Sequence, residues 1–109
     1  MTTGIAARES PLEITALVDP LGIRLRGDVD IATLPTLKLA LDILVDRATD
    51  ATVDLSELTF INVCGLRALA RAAIRLRIAG RCVRLSGTGT WTRRLLSLLG
   101  WAELFEFVG

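Results

Sequence analysis

Leu12, Ile14, Ala16 and Val18 alternate with Glu13, Thr15 and Leu17. A period of two predicts a strand. Asp19, Pro20, Leu21 and Gly22 form a turn, and Ile23 and Leu25 then alternate with Arg24 and Arg26. The pair reads as an antiparallel hairpin. Gly27-Asp28-Val29-Asp30 is expected to leave the second strand as a loop. Past Thr33, an N-cap candidate with Pro35 in the first turn, the period changes. Leu34, Leu37, Leu41, Leu44 and Val45 recur at helical spacing, with Lys38, Asp42 and Asp46 opposite.

The second half repeats the strand-to-helix change twice. Thr52 to Leu55 is a short strand, and Ser56 to Cys64 is expected to be a loop. Gly65 to Ala79 places Leu66, Leu69, Ala70, Ala73 and Leu76 on one helical face, and Gly80 ends the helix as a C′ residue. Cys82 to Leu85 is a strand. Thr90 or Thr92 caps a third helix that runs to Gly100, and Leu104 to Val108 is the last strand. The predicted order is β-β-α-β-α-β-α-β. It implies an α/β fold with a mixed sheet and helices packed on it. Residues 1–11 are expected to be a flexible tail and residues 12–109 a single domain.

Composition narrows the chemistry. Hydrophobic residues make up 51% of the 109, enough for a core without metals or disulfides. No apolar run reaches the roughly 20 residues of a membrane span, and the first ten residues lack a signal-peptide core. A cytoplasmic protein is the expectation. The net charge of +1 gives no support for nucleic acid. Histidine is absent, which removes the commonest general base and the Ser-His-Asp triad. The two cysteines, Cys64 and Cys82, have no CxxC spacing and no histidine beside them, so no metal or cofactor is expected.

Asp54 to Leu66 reads D-L-S-E-L-T-F-I-N-V-C-G-L. This resembles the central signature of STAS domains, the anti-sigma factor antagonist family, roughly D-L-S-x-V-x-F-x-D-S-S-G-L. Leu25 to Asp30 is similar to that family's L-x-G-E-L-D. Gly80-Arg81 matches its glycine step before a strand, and Arg94-Leu95-Leu96 with Leu99-Gly100-Trp101 resembles its C-terminal R-L-L-x-x-x-G-L. The pieces fall in order across residues 12–108. The resemblance implies a regulatory docking protein, not an enzyme. Its expected partner is an anti-sigma factor of the GHKL serine-kinase type, and self-association as a homodimer is a further expectation.

In the resembled family the second serine of D-S-S-G accepts phosphate from the partner kinase. The corresponding position here is Cys64, preceded by Asn62 and Val63 where the family has Asp and Ser; Gly65 and Leu66 match. A thiol is not a substrate for an ordinary Ser/Thr kinase. The frame is therefore kept without its phospho-switch, and docking is either constitutive or switched otherwise. Cys64 is placed at a helix N-terminus, where a thiolate is favoured and oxidation would add charge. The plainer reading makes Cys64 a small residue in place of serine. The partner-binding candidates are Asp28, Asp30, Asn62, Val63, Cys64, Gly65, Leu66 and Arg67. Asp28 and Asp30 have a competing reading as a solvated turn. Ser56 turns the loop after its strand, and Thr59 is a weaker phosphoacceptor candidate.

Other features are weighed against simpler readings. Arg67, Arg71 and Arg75 make a basic stripe at i, i+4 and i+8, either a solvated face or a surface for an acidic partner. About 22 Å of helix separates Cys64 from Cys82, so a disulfide between them is disfavoured and Cys82 is expected in the core. Trp101 is assigned to the core; Trp91 suits either core or interface. The alternative function is a STAS accessory subunit of an ABC-type transport system. A thiol-dependent enzyme lacks a resolving cysteine and a second motif.

Overall fold

The computed structural model describes residues 11–47 and 49–108. All of the expected 1–11 tail but Pro11, and the last residue of the expected domain, Gly109, lie outside the described residues. The elements are β1 (Glu13–Val18), β2 (Leu21–Val29), α1 (Leu34–Arg47), β3 (Ala51–Ile61), α2 (Val63–Ile78), β4 (Val83–Ser86), α3 (Thr90–Leu98), a 3-10 turn (Ala102–Leu104) and β5 (Phe105–Val108). The strands form one sheet in the order β1-β2-β3-β4-β5. β1 runs antiparallel to β2, and the other three pairs are parallel. The predicted α/β class and element order are those of the molecule.

Each parallel crossover steps one strand in the same direction. With the usual right-handed connection, all three helices fall on one face of the sheet. The burial pattern agrees. Ile23, Leu25, Val29, Val53, Leu55, Val83, Leu85 and Phe105 are buried beneath the helices, together with Leu37, Leu41, Leu66, Leu69, Leu76 and Leu96. The alternate residues form a charged outer face. There Arg24 Nε donates to Asp54 Oδ2 at 3.0 Å, and Arg84 bridges Glu106 at 3.1 Å and Asp50 at 3.5 Å. These charges let a mostly parallel sheet leave one side to water, an arrangement such sheets usually avoid.

Several boundaries differ from expectation. β2 continues through Asp28 to Val29, and β3 runs to Ile61 where a loop was expected. The reason is pairing: Arg26, Gly27, Asp28 and Val29 lie against Glu57, Leu58, Phe60 and Ile61. Register shifts between Arg24 and Arg26 and between Gly27 and Asp28 break the alternation that would have revealed these strand ends. β4 begins at Val83, so Cys82 precedes it, half-buried, with its N–H donated to Asp50 Oδ1 at 3.1 Å. Cys82 is therefore not a core residue. Gly89, with no side-chain cap, precedes α3 in place of Thr90 or Thr92. Leu104 closes the 3-10 turn, and β5 starts one residue later.

The end of α2 follows the expected pattern. Gly80 takes φ +78°, its N–H reaches the Arg77 carbonyl at 2.9 Å, and the Arg81 N–H reaches Leu76 at 2.8 Å. That is a Schellman stop, in which a left-handed residue closes the last free carbonyls. Trp101 is half-buried against the core, as expected, whereas Trp91 is 70% exposed.

Candidate functional site

The D-L-S-E-L-T-F-I-N-V-C-G-L stretch is β3 from Asp54 onward, one linking residue and the first turn of α2. Asp54 sits mid-strand. Burial alone would raise its carboxyl, but the Ser56 N–H and hydroxyl and the Arg24 guanidinium outweigh it and hold the group below its ordinary value. At the strand's end the Asn62 N–H donates to the Val29 carbonyl at 3.0 Å, tying β3 to β2. Asn62 is also the N-cap of α2, its Oδ1 accepting the Gly65 N–H at 2.8 Å. The helix therefore starts at Val63, two residues before the expected Gly65, because the amide oxygen satisfies the N–H group at N3.

Gly65 is buried where the helix start crosses the strand ends. A Cβ there would stand 2.7 Å from Cγ1 of both Ile61 and Val29. Leu66 is fully buried in the core. Glycine and leucine at these positions are the frame on which the surface residues stand. Val63, Cys64 and Arg67 face solvent on the exposed side of that turn.

The β2–α1 loop lies beside it. Asp30 Oδ1 accepts the N–H groups of Ala32 at 3.0 Å and Thr33 at 3.1 Å. The Thr33 hydroxyl donates to the Asp28 carbonyl at 2.8 Å and accepts from the Asp30 N–H at 3.0 Å. Asp30 thus organises its own turn. Thr33 precedes α1 as expected, but its hydroxyl points back into the loop. Asp28 is a strand residue opposite Phe60, and its Oδ1 is buried without a hydrogen-bond partner among the described residues.

Because β2, β3 and β4 are parallel, the loops that follow them emerge at one end of the sheet. Exposed apolar side chains stand at that end: Ile31, in the β2–α1 loop, at 87% exposure, Val63, the first residue of α2, at 41%, and Trp91, in the first turn of α3, at 70%. Phe60, near the end of β3, is 52% exposed. Phe60 and Trp91 border a cavity of about 300 Å³, with Leu58, Leu66, Thr59 and Leu95 in its walls. On the other side Cys64 closes a small recess of about 80 Å³ with Lys38, Arg67 and Arg71. The α2 N-terminus therefore has an apolar flank and a cationic flank.

The structure brings Asn62, Val63, Cys64 and Arg67 to one surface and sets Asp30 in the neighbouring loop. Gly65 and Leu66 lie below that surface. Ile31, Phe60 and Lys38 were not among the sequence candidates, and Trp91, which suited either core or interface, lies on the surface. An isolated isoleucine between Asp30 and Ala32-Thr33 was the available signal for the first of them. Cys82 lies beyond the far end of the sixteen-residue α2. Its thiol is pushed up by burial and then by Asp50 and Glu106, which makes it a poor thiolate. Both cysteines are free. Among the described residues no cluster of His, Cys, Asp or Glu could hold a metal ion, and no helix is long and apolar enough to cross a membrane.

A family model described as Mlab, STAS domain, matches residues 12–108. Among solved structures, an anti-sigma factor antagonist from Mycobacterium paratuberculosis is 26% identical, with a TM-score of 0.72 over 88% of this chain and 82% of that one. The anti-sigma factor antagonist SpoIIAA in its unphosphorylated form gives a TM-score of 0.71 at 12% identity, over 90% and 87%. A sulfate transporter family protein from Wolinella succinogenes gives 0.63 at 18% identity, over 80% and 76%. No curated protein matches the chain by sequence.

Proposed function

We propose, for a chain that belongs to the STAS domain family, a non-catalytic role in the cytoplasm: it docks an anti-sigma factor through the end of the sheet where β2, β3 and β4 deliver their loops. The observation that carries this reading is the set of exposed apolar side chains, Ile31, Val63 and Trp91, one following each of β2, β3 and β4, around a capped helix start. A surface of aromatic and aliphatic anchors beside charges is the usual composition of a protein-binding site. It is also where open α/β sheets place their ligands.

Cys64 occupies the exposed second position of α2, where the family carries its phosphoacceptor. The thiol takes docking out of the reach of a serine kinase, so the binding-competent state is the default. Oxidation of Cys64 would place a polar or charged group beside Lys38, Arg67 and Arg71, much as a phosphate would.

The test is affinity capture from the native host's lysate, with and without mild peroxide, and identification by mass spectrometry. Recovery of an anti-sigma factor by the parent supports the reading. Cys64→Asp is expected to weaken that capture about ten-fold, because a carboxylate at 64 is drawn to the three cations and alters the docking surface. Capture undiminished by Cys64→Asp would remove the loop from the interface. Loss of capture on oxidation, with Cys64 modified, makes the thiol the switch. Recovery of a transport ATPase instead would favour the accessory-subunit role in an ABC-type system.

A further inference from the structure

The recess at Cys64 opens onto a second one. Lys38, Leu41 and Asp42 of α1 and Ala68, Arg71, Ala72 and Arg75 of α2 line a groove of about 230 Å³, with Lys38, Ala68 and Arg71 shared between the two. Recess and groove together follow α2 for two turns, about 12 Å from Arg67 to Arg75 at 1.5 Å per residue. Its floor is short and apolar, since Ala68 and Ala72 are buried and Leu41 reaches in from α1. Its walls are cationic.

Those cations are unequally matched. Arg75 Nη1 meets Asp42 Oδ1 at 2.6 Å, an exposed ion pair across the groove. Lys38, Arg67 and Arg71 are exposed, and none of them forms an ion pair or side-chain hydrogen bond among the described residues. The site thus carries one carboxylate against four positive charges. The Arg75–Asp42 pair shows the geometry a carboxylate adopts at its edge.

We propose that this groove receives an acidic amphipathic helix of the docked partner. The inference rests on the docking reading above and names the chemistry of its second contact. The three arginines repeat every four residues, about 6 Å apart. Carboxylates at i, i+4 and i+8 of a helix lying along α2 repeat at the same pitch. Apolar side chains on the inner face of that helix would rest on Ala68 and Ala72, over the seam between α1 and α2, in the manner of helix-in-groove recognition. Nucleic acid fits less well. None of the groove residues is aromatic, and the chain's net charge is only +1.

The test uses the full chain, labelled with nitrogen-15, and three probes. One is a synthetic amphipathic helical peptide with Glu at i, i+4 and i+8 and Ala or Leu on the adjoining stripe. The second is its Gln counterpart, and the third is a short duplex DNA. The Glu peptide is expected to shift the amides of Lys38, Arg71 and Ala72 and to lose affinity as salt rises. The exposed double variant Lys38→Glu/Arg71→Glu should bind it at least about ten-fold more weakly, with an unchanged melting temperature. Equal binding of the Gln peptide, shifts that map elsewhere, tighter binding of the duplex, or an unchanged double variant would each overturn the proposal. Capture of the anti-sigma factor at parental affinity by the double variant would sink the groove and leave the loop reading standing. Undiminished capture by Cys64→Asp, with the Glu peptide still seated, would do the reverse.

Discussion

Asn62 stands where the family has aspartate, and the structure predicts what that exchange does. The Asn62 side chain accepts the Gly65 N–H at 2.8 Å, and Gly65 is buried. Asn62→Ala removes the acceptor and leaves that N–H poorly solvated. The cost is about 1–2 kcal/mol, the upper half of the range for losing an N-cap. Unfolding entropy of about 2.1 cal/mol/K per residue gives about 0.23 kcal/mol/K for a chain of this length. The melting temperature should therefore fall by about 4–9 °C. Asn62→Asp should behave differently. A carboxylate accepts the same N–H and gains about 0.3–1 kcal/mol from the helix dipole, so this variant should match or exceed the parent at pH 7. Below about pH 4 that gain should disappear as the carboxyl protonates. Urea unfolding followed by circular dichroism at pH 7 and pH 3 measures all three proteins, and an unchanged m-value confirms that only stability has moved. Two results would refute the reasoning: an alanine variant within about 0.3 kcal/mol of the parent, or an aspartate variant as unstable as alanine. Either would mean that the helix start is held by packing alone.

Three further outcomes are expected. Gly65→Ala puts a methyl group 2.7 Å from Val29 and Ile61 carbons and should cost about 1–3 kcal/mol by overpacking; urea unfolding with no loss of stability would show that the two side chains move aside freely. Asp54 has a folded pKa below its unfolded value, so its contribution is complete above the unfolded pKa and is lost as pH falls through the folded one. Asp54→Asn should accordingly flatten the acid limb of stability below about pH 4, and an acid limb identical to the parent's in pH-dependent unfolding would contradict the assignment. Trp91→Ala, at a side chain 70% exposed, should change stability by less than about 0.5 kcal/mol. It should weaken anti-sigma factor binding by about ten-fold or more in a calorimetric titration, and unchanged affinity would take Trp91 out of the interface.

Periodicity alone was enough for the α/β class, the element order and the helix faces, because burial on one side of a helix or strand imposes its period on the chain. Gly80 showed the end of α2 for a similarly local reason: a left-handed residue after a helical run favours glycine. The motif from Asp54 to Leu66 pointed to the STAS family and to Cys64 at a helix start. Its internal boundaries stayed hidden. Leu58 to Ile61 look like a loop until β2 is laid beside them, and the register shifts that hide them arise only from that pairing. Asn62 looked like a lost carboxylate; only the Gly65 N–H at 2.8 Å shows the capping oxygen to be retained. The surface itself is entirely tertiary. Ile31, Val63 and Trp91 are far apart in the chain, and Lys38 meets Arg71 across two helices. They share a site because parallel strands deliver successive loops to one end of the sheet and because α1 packs beside α2, relations that no local pattern of residues encodes.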